Sequence, residues 1–182
     1  MKYFECAFCQ QQIFFDDTHC RHCHHPIGYS AQEKNMLTFA PLGLNHWQVL
    51  NPDTLASFFK PCQNYTQHQV CNWVLAHDSN KTYCASCELT HVLPNLNQPE
   101  NLLYWKRLEQ AKRRFLYLAQ RMNMMPRPKK HDDDRYGLRF AFLIPQQGEM
   151  VITGHANGLI TLNAIEADVV YRETTRVNMG EN

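Results

Sequence analysis

Apolar residues recur three and four positions apart between Gln98 and Asn123, at Leu102, Trp105, Leu108, Ala111, Phe115, Leu118, Ala119 and Met122. That spacing predicts one long helix with this face buried. Asn97 is placed to cap it, with Glu100 at the third helical position in a capping-box arrangement and Pro99 tolerated in the first turn. Pro126 and Pro128 end the pattern. The opposite face carries Lys106, Arg107, Lys112, Arg113, Arg114 and Arg121, and reads as a solvated face whose long stems cover apolar neighbours.

Beyond this helix, Lys129 to Arg135 reads as a charged, solvated linker. Its consecutive aspartates lack the alternating geometry of a calcium loop. Leu138 to Ile144 and Glu149 to Thr153 read as strands joined across Pro145-Gln146-Gln147-Gly148, and Gly158 to Asn163 as a third, after a turn at Gly154 to Gly158. From Ile165 onward a short helix and a polar extension fit equally. Upstream of the helix, strands are expected near Met36 to Phe39 and Trp47 to Val49, while Pro52 and Pro61 punctuate Asn51 to Tyr65. The fold class expected is α+β: a cysteine-rich unit over residues 1–95, then a long helix backing a small antiparallel sheet over 96–182.

Composition narrows the function. The 182 residues are 44% apolar, enough for one modest core plus a metal-organised unit. Eighteen Lys and Arg against 17 Asp and Glu give a net charge of +1, so no global field attracts nucleic acid or anionic lipid. The start of the chain does not resemble a secretory signal, and no stretch approaches the roughly 20 apolar residues of a membrane span. A cytoplasmic protein without a membrane segment is expected. In that reducing compartment eight cysteines are poor material for disulfides and good ligands for zinc.

The first four cysteines form Cys6-x-x-Cys9, ten intervening residues, then Cys20-x-x-Cys23. Each knuckle lets two sulfurs reach one ion, and two knuckles complete the tetrahedron of a closed zinc site. The stretch from Gln10 to Asp17 suits a short connecting hairpin. His19, His22, His24 and His25 crowd the second knuckle and read as exposed neighbours, not ligands. The second set is Cys62, Cys71, Cys84 and Cys87, with only its last pair a knuckle. Cys62 and Cys71 can be buried small hydrophobes, and His68 or His77 can stand in for a thiolate. A lone knuckle needs two more ligands, however, so two structural Zn2+ sites, both four-cysteine, are expected.

With those motifs in place, the chain resembles a bacterial family of zinc-binding metallopeptidases that begin with a zinc-ribbon domain. The matching strings are the Cys6 to Cys23 ribbon followed by Ile27-Gly28-Tyr29, then Cys71-Asn72-Trp73, and Cys84-x-x-Cys87-x-Leu89-Thr90 running into Pro94-x-Leu96. They continue with Trp105-x-x-Leu108-Glu109-x-Ala111-Lys112-Arg113-Arg114, Thr153-Gly154-His155-x-x-Gly158-x-Ile160-Thr161, and Glu166-Ala167-Asp168. The resemblance implies that the second unit is the front of a zincin-like domain. It also implies a His-Glu-x-x-His helix, whose histidines would hold a catalytic zinc and whose glutamate would activate its water. No such string occurs in these 182 residues, so a catalytically incomplete form with no catalytic residues is expected, a truncated one in preference to a family offshoot that keeps only the binding part. A nucleic-acid-binding ribbon is the less favoured alternative, since only Arg21 is cationic between Cys6 and Cys23. A protein or peptide partner meeting the ribbon or a sheet edge is the other.

Overall fold

The computed structural model describes residues 3–146 and 149–180. It divides into two compact units, the first running to Cys87 and the second beginning at Glu88. In the first unit, strands β1 (Phe4–Glu5) and β2 (Gln12–Ile13) pair antiparallel as the small hairpin of the ribbon. A five-stranded closed barrel follows: β3 (Ile27–Ser30), β4 (Asn35–Gly43), β5 (His46–Val49), β6 (Phe58–Pro61) and, after the short helix α1 (Gln63–His68), β7 (Trp73–Ala76). Successive strands pair antiparallel, and β7 closes the barrel by pairing parallel with β3, Tyr29 opposite Trp73.

The barrel interior is built from Leu37, Phe39, Trp47, Phe59 and Val74, with the Phe39 ring 5.5 Å from that of Trp47 and 5.6 Å from that of Phe59. Burying such rings supplies most of the unit's cohesion outside the metal sites. At the closing seam all four residues of β3 are buried. Gly28 makes that seam possible. A Cβ there would lie 2.8 Å from both the Asn72 carbonyl oxygen and Val74 Cγ1. The strands expected near 36–39 and 47–49 fall within β4 and β5.

The second unit begins with β8 (Thr90–Val92), passes through α2 (Pro99–Arg121) and the two-residue β9 (Arg127–Pro128), and returns as β10 (Gly137–Leu143). It ends with the hairpin β11 (Gly154–Ala156) and β12 (Leu159–Asn163), a single 3-10 turn at Ala164–Ala167, and α3 (Val169–Asn178). The sheet order is β11-β12-β10-β8, with β9 also pairing β10. This sheet is not the antiparallel one expected. Strand β10 runs parallel to β8, β9 and β12, and only β11–β12 is antiparallel. The path β8–α2–β10 is a helical crossover, which returns the chain in the same direction. The stretch Glu149 to Thr153 is not a strand; residues 147 and 148 of the expected joining turn lie outside the described residues. Pairing resumes at β11, and the turn contracts to Asn157-Gly158, both at positive φ (48° and 77°), a primed hairpin turn. Gly158 is required there, because a Cβ would sit 2.3 Å from the Gly137 carbonyl oxygen.

Helix α2 differs from its expected form in cap and in face. Its N-cap is Gln98, which makes no side-chain cap bond, while Asn97 donates its backbone N–H to the Asn95 side chain. The buried face holds Trp105, Glu109, Lys112, Arg113, Leu116 and Ala119, whereas Phe115, Leu118 and Met122 are exposed. Glu109 and Lys112 enter the core as a pair. Glu109 Oε1 accepts from Lys112 Nζ at 2.8 Å, Thr90 Oγ1 at 2.6 Å and Trp105 Nε1 at 3.2 Å. The Lys112 ammonium also donates to Thr90 and lies over the rings of Phe140 and Phe142, at 5.4 and 5.6 Å. The expected linker at 129–135 is likewise ordered. Arg127 grips Asp134 with two bonds of 2.6 Å, holding that carboxyl well below the ordinary range, and buried Lys129 donates to the Asp134 and Asn157 carbonyls. Among the described residues no helix is long and apolar enough to cross a membrane.

The buried pair Glu109–Lys112 gives a stability test. Lys112→Met strands a carboxylate with no exposed surface and should cost about 3–5 kcal/mol, whereas Glu109→Leu combined with Lys112→Met should recover most of that loss. Urea unfolding followed by the circular dichroism of α2 measures both; equal losses in the two variants would refute the charge argument.

Candidate metal centres

The first centre is made by two copies of one local fold. In the knuckle from Cys6 to Cys9, the Gln10 N–H donates to the Cys6 carbonyl at 2.8 Å and the Cys6 N–H to the Gln11 carbonyl at 2.9 Å. In the knuckle from Cys20 to Cys23, His24 and Cys20 make the same two bonds, at 3.0 and 2.9 Å. Gln10 and His24 both adopt φ of 61°, the left-handed turn that brings the chain round behind each sulfur pair. The β1–β2 hairpin carries one knuckle and the bridge between His19 and Pro26 ties down the other. Thr38, from β4, completes the surroundings: its hydroxyl accepts from the Ala7 N–H at 2.9 Å and reaches Cys6 Sγ at 3.8 Å.

The second centre uses ligands that are farther apart in the chain. Cys62 is the N-cap residue of α1 and Cys71 follows that helix, two residues before β7, so one short helix sets the distance between them. Cys84 and Cys87 form the knuckle. Backbone amides point at the sulfurs here too, Trp73 N–H at Cys71 (3.3 Å) and Cys84 N–H at Cys62 (3.4 Å). All four cysteines of this set are buried, against two of four in the first.

Both sets suit a tetrahedral ion. Within each, the four sulfurs lie within 4.8 Å of one another. The pairs Cys6–Cys23, Cys9–Cys20 and Cys71–Cys84 are each separated by 3.6 Å. Four sulfurs at the zinc–thiolate distance of about 2.3 Å stand about 3.8 Å apart at the corners of a tetrahedron. A disulfide needs about 2.05 Å, and all eight cysteines are free thiols. Electrostatics leads to the same donor chemistry. Burial works against ionising Cys6, but the Cys9 and Phe8 backbone N–H groups and the Thr38 hydroxyl outweigh it and bring the thiol down to about 7. Burial and the neighbouring sulfurs push Cys23 up to about 12, and they push Cys84 well above its ordinary value. Four adjacent thiols cannot all ionise unaided, and a dication at the centre reverses that.

The eight cysteines expected to gather do gather, in the expected fours. The histidines stand apart from both clusters: His19, His22 and His24 are exposed, His25 stacks on Phe8 at 4.2 Å, and His77 stacks on His46 at 4.4 Å. His68 is also outside the second group. The sequence reading missed Thr38, which no spacing rule connects to a cysteine 32 positions away.

The sequence matches a zinc-ribbon domain family over residues 3–98, and over residues 101–182 a family described as "Putative zinc-binding metallo-peptidase". Relatives include uncharacterized proteins of Mycobacterium bovis and Mycobacterium tuberculosis, each 32% identical over 181 residues that cover all of this chain and 48% of the relative. The chain thus spans about half the length of the curated relatives it matches. No solved structure matches it. Two four-cysteine clusters within the zinc-ribbon match, which spans more than half of the sequence, identify the chain as a member of the zinc-ribbon domain family, and the segment from residue 101 is similar to the metallopeptidase family.

Proposed function

We propose that this chain is the zinc-organised front part of a metallopeptidase-type protein, with Cys6, Cys9, Cys20 and Cys23 holding one structural zinc and Cys62, Cys71, Cys84 and Cys87 a second. The supporting observation is the closed character of both shells, each offering four thiolates to one ion. A zinc that works on a peptide bond keeps a coordination position for the water it activates, typically beside three protein ligands. A four-thiolate shell leaves no such position. Among the described residues no other group of three or more His, Cys, Asp or Glu side chains converges to ligand distance, and His155 lies exposed on β11 without a Glu-x-x-His partner in the sequence.

The role of the metals in this reading is mechanical. Residues 3–26 contain few large buried side chains beyond Phe4 and Ile13, so the ribbon lacks a core that could fold it alone. Zinc binding supplies that free energy instead, on the order of 10 kcal/mol per site. A nucleic-acid role is not favoured, because the exposed ribbon is poor in cations.

Protein purified without added metal should contain two zinc ions per chain by elemental analysis. Cys20→Ser and Cys84→Ser should each remove one; a wild-type ratio near one would disprove the second site. Cys20→Ser should also abolish amide protection over residues 4–25 while leaving residues 102–120 protected, as read by segment-resolved hydrogen exchange. Loss of protection in α2 would contradict independent organisation of the two units. On a broad peptide library the chain should show no chelator-sensitive cleavage, and turnover that survives repurification and stops with chelator would overturn the structural assignment of the cysteines.

A further inference from the structure

The two metal centres lie in one folded unit, and a single side chain reaches from one toward the other. Asn72 follows Cys71, a ligand position of the second centre, and precedes Trp73, whose N–H donates to the Cys71 sulfur at 3.3 Å. Asn72 is buried, and its backbone carbonyl accepts from the Tyr29 N–H at 2.9 Å in the seam that closes the barrel. Its side-chain amide donates to the carbonyls of Phe15 and Asp17, 57 and 55 positions away, the second at 3.5 Å. Both partners are acceptors only, so the NH2 end of the amide faces them. Phe15 and Asp17 stand between Cys9 and Cys20, in the turn that joins the two knuckles of the first centre. That turn holds its own shape. The Phe14 N–H donates to the Asp17 carboxylate at 2.9 Å, the Asp17 N–H to the Phe14 carbonyl at 3.0 Å, and Arg21, inside the second knuckle, to the Asp17 carboxylate at 3.0 Å. A second route runs beside the first. The Phe15 ring meets that of Tyr29 edge-on at 5.3 Å, and the Tyr29 ring lies 4.8 Å from that of Trp73, so three rings lead from the ribbon turn to the residue bonded to Cys71.

We infer that the two zinc centres are energetically coupled, and that Asn72 is the positioning residue through which loading of either one raises the affinity of the other. Each ion is held by a segment that it folds, so its binding free energy includes the ordering of that segment. Zinc at the second centre fixes Cys71 and, with it, the amide that receives the ribbon turn. Zinc at the first centre fixes the turn and presents the two carbonyls. A buried amide that lacks its acceptors is costly, so each centre forms more readily once the other has supplied its half of the contact. Such coupling is reciprocal: the factor by which the first ion tightens the second equals the factor by which the second tightens the first. This inference rests on the proposed pair of structural zinc sites.

The test takes the zinc-loaded 182-residue chain through a graded series of chelator concentrations. Cysteines freed at each step are alkylated and identified by mass spectrometry, peptide by peptide, which gives a separate midpoint for each centre in the same molecules. In Cys20→Ser, which dismantles the first centre, the second should release zinc at a chelator concentration at least about fivefold lower than in wild type. Asn72→Ala should lower the second midpoint by at least about threefold in the otherwise unaltered chain, and by less than about twofold once Cys20→Ser is present. Phe15→Ala, which cuts the ring route from the ribbon side and leaves β7 untouched, should show the same dependence on background and decides the matter if Asn72→Ala does not fold. A second midpoint indifferent to Cys20→Ser would overturn the coupling. Equal effects of Asn72→Ala in both backgrounds would make it a local support of Cys71 and overturn its bridging role. Failure of the two-site reading itself looks different: fewer than two zinc ions per wild-type chain before any chelator is added, which would overturn both.

Discussion

Four sulfurs held 3.6 Å from their neighbours form an arrangement that a folded chain cannot maintain in the thiolate state by itself. Mutual repulsion and burial favour protonated thiols, and protonated thiols have no reason to converge. Only a cation at the centre turns convergence into the stable choice. The first unit is organised around this constraint twice. Its knuckles place left-handed residues behind the sulfurs, α1 sets the separation of Cys62 and Cys71, and backbone amides face the sulfurs at both centres. Amide and hydroxyl contacts to the ligand sulfurs fix the orientation of the ligands as much as the ligands fix the metal.

The two units solve the problem of buried charge in different currencies. In the first, four cysteine sulfurs converge at each site and a dication would balance them. In the second, a carboxylate and an ammonium share one pocket with a threonine, an indole and two phenylalanine rings. Each arrangement is tolerable only when complete, because a single missing partner leaves a desolvated charge. Both are consequently rigid points around which ordinary apolar packing is arranged.

What could be read from the sequence follows from how local each signal is. The ribbon was legible because two knuckles and their spacing state the ligand geometry directly. The second cluster was legible by elimination. The barrel was not: proline at 41 and 61 interrupts its strands, and its closure pairs Tyr29 with Trp73, a contact without a periodic signature. Strand direction in the second sheet was equally hidden, since β10 has the same alternation in either orientation. The face of α2 was misread for a physical reason. Periodicity assigns apolar residues to the core and charges to water, but Glu109 and Lys112 pair inside and the seam of Phe115, Leu118 and Met122 stays outside.

The placement of the ligands along the chain also imposes an order of events on a nascent polypeptide. Cys6 to Cys23 is a short loop to close, and its ligand set is complete before any barrel strand has left the ribosome. The second set cannot close until Cys87, by which point β7 has already been made. Cys62 and Cys71 border α1, the connection that delivers β7 to its place beside β3, so capture of the second ion coincides with closure of the barrel. A cell short of zinc during synthesis would therefore accumulate chains stalled with an open barrel edge, and metal supply would act on this protein as a control over its maturation.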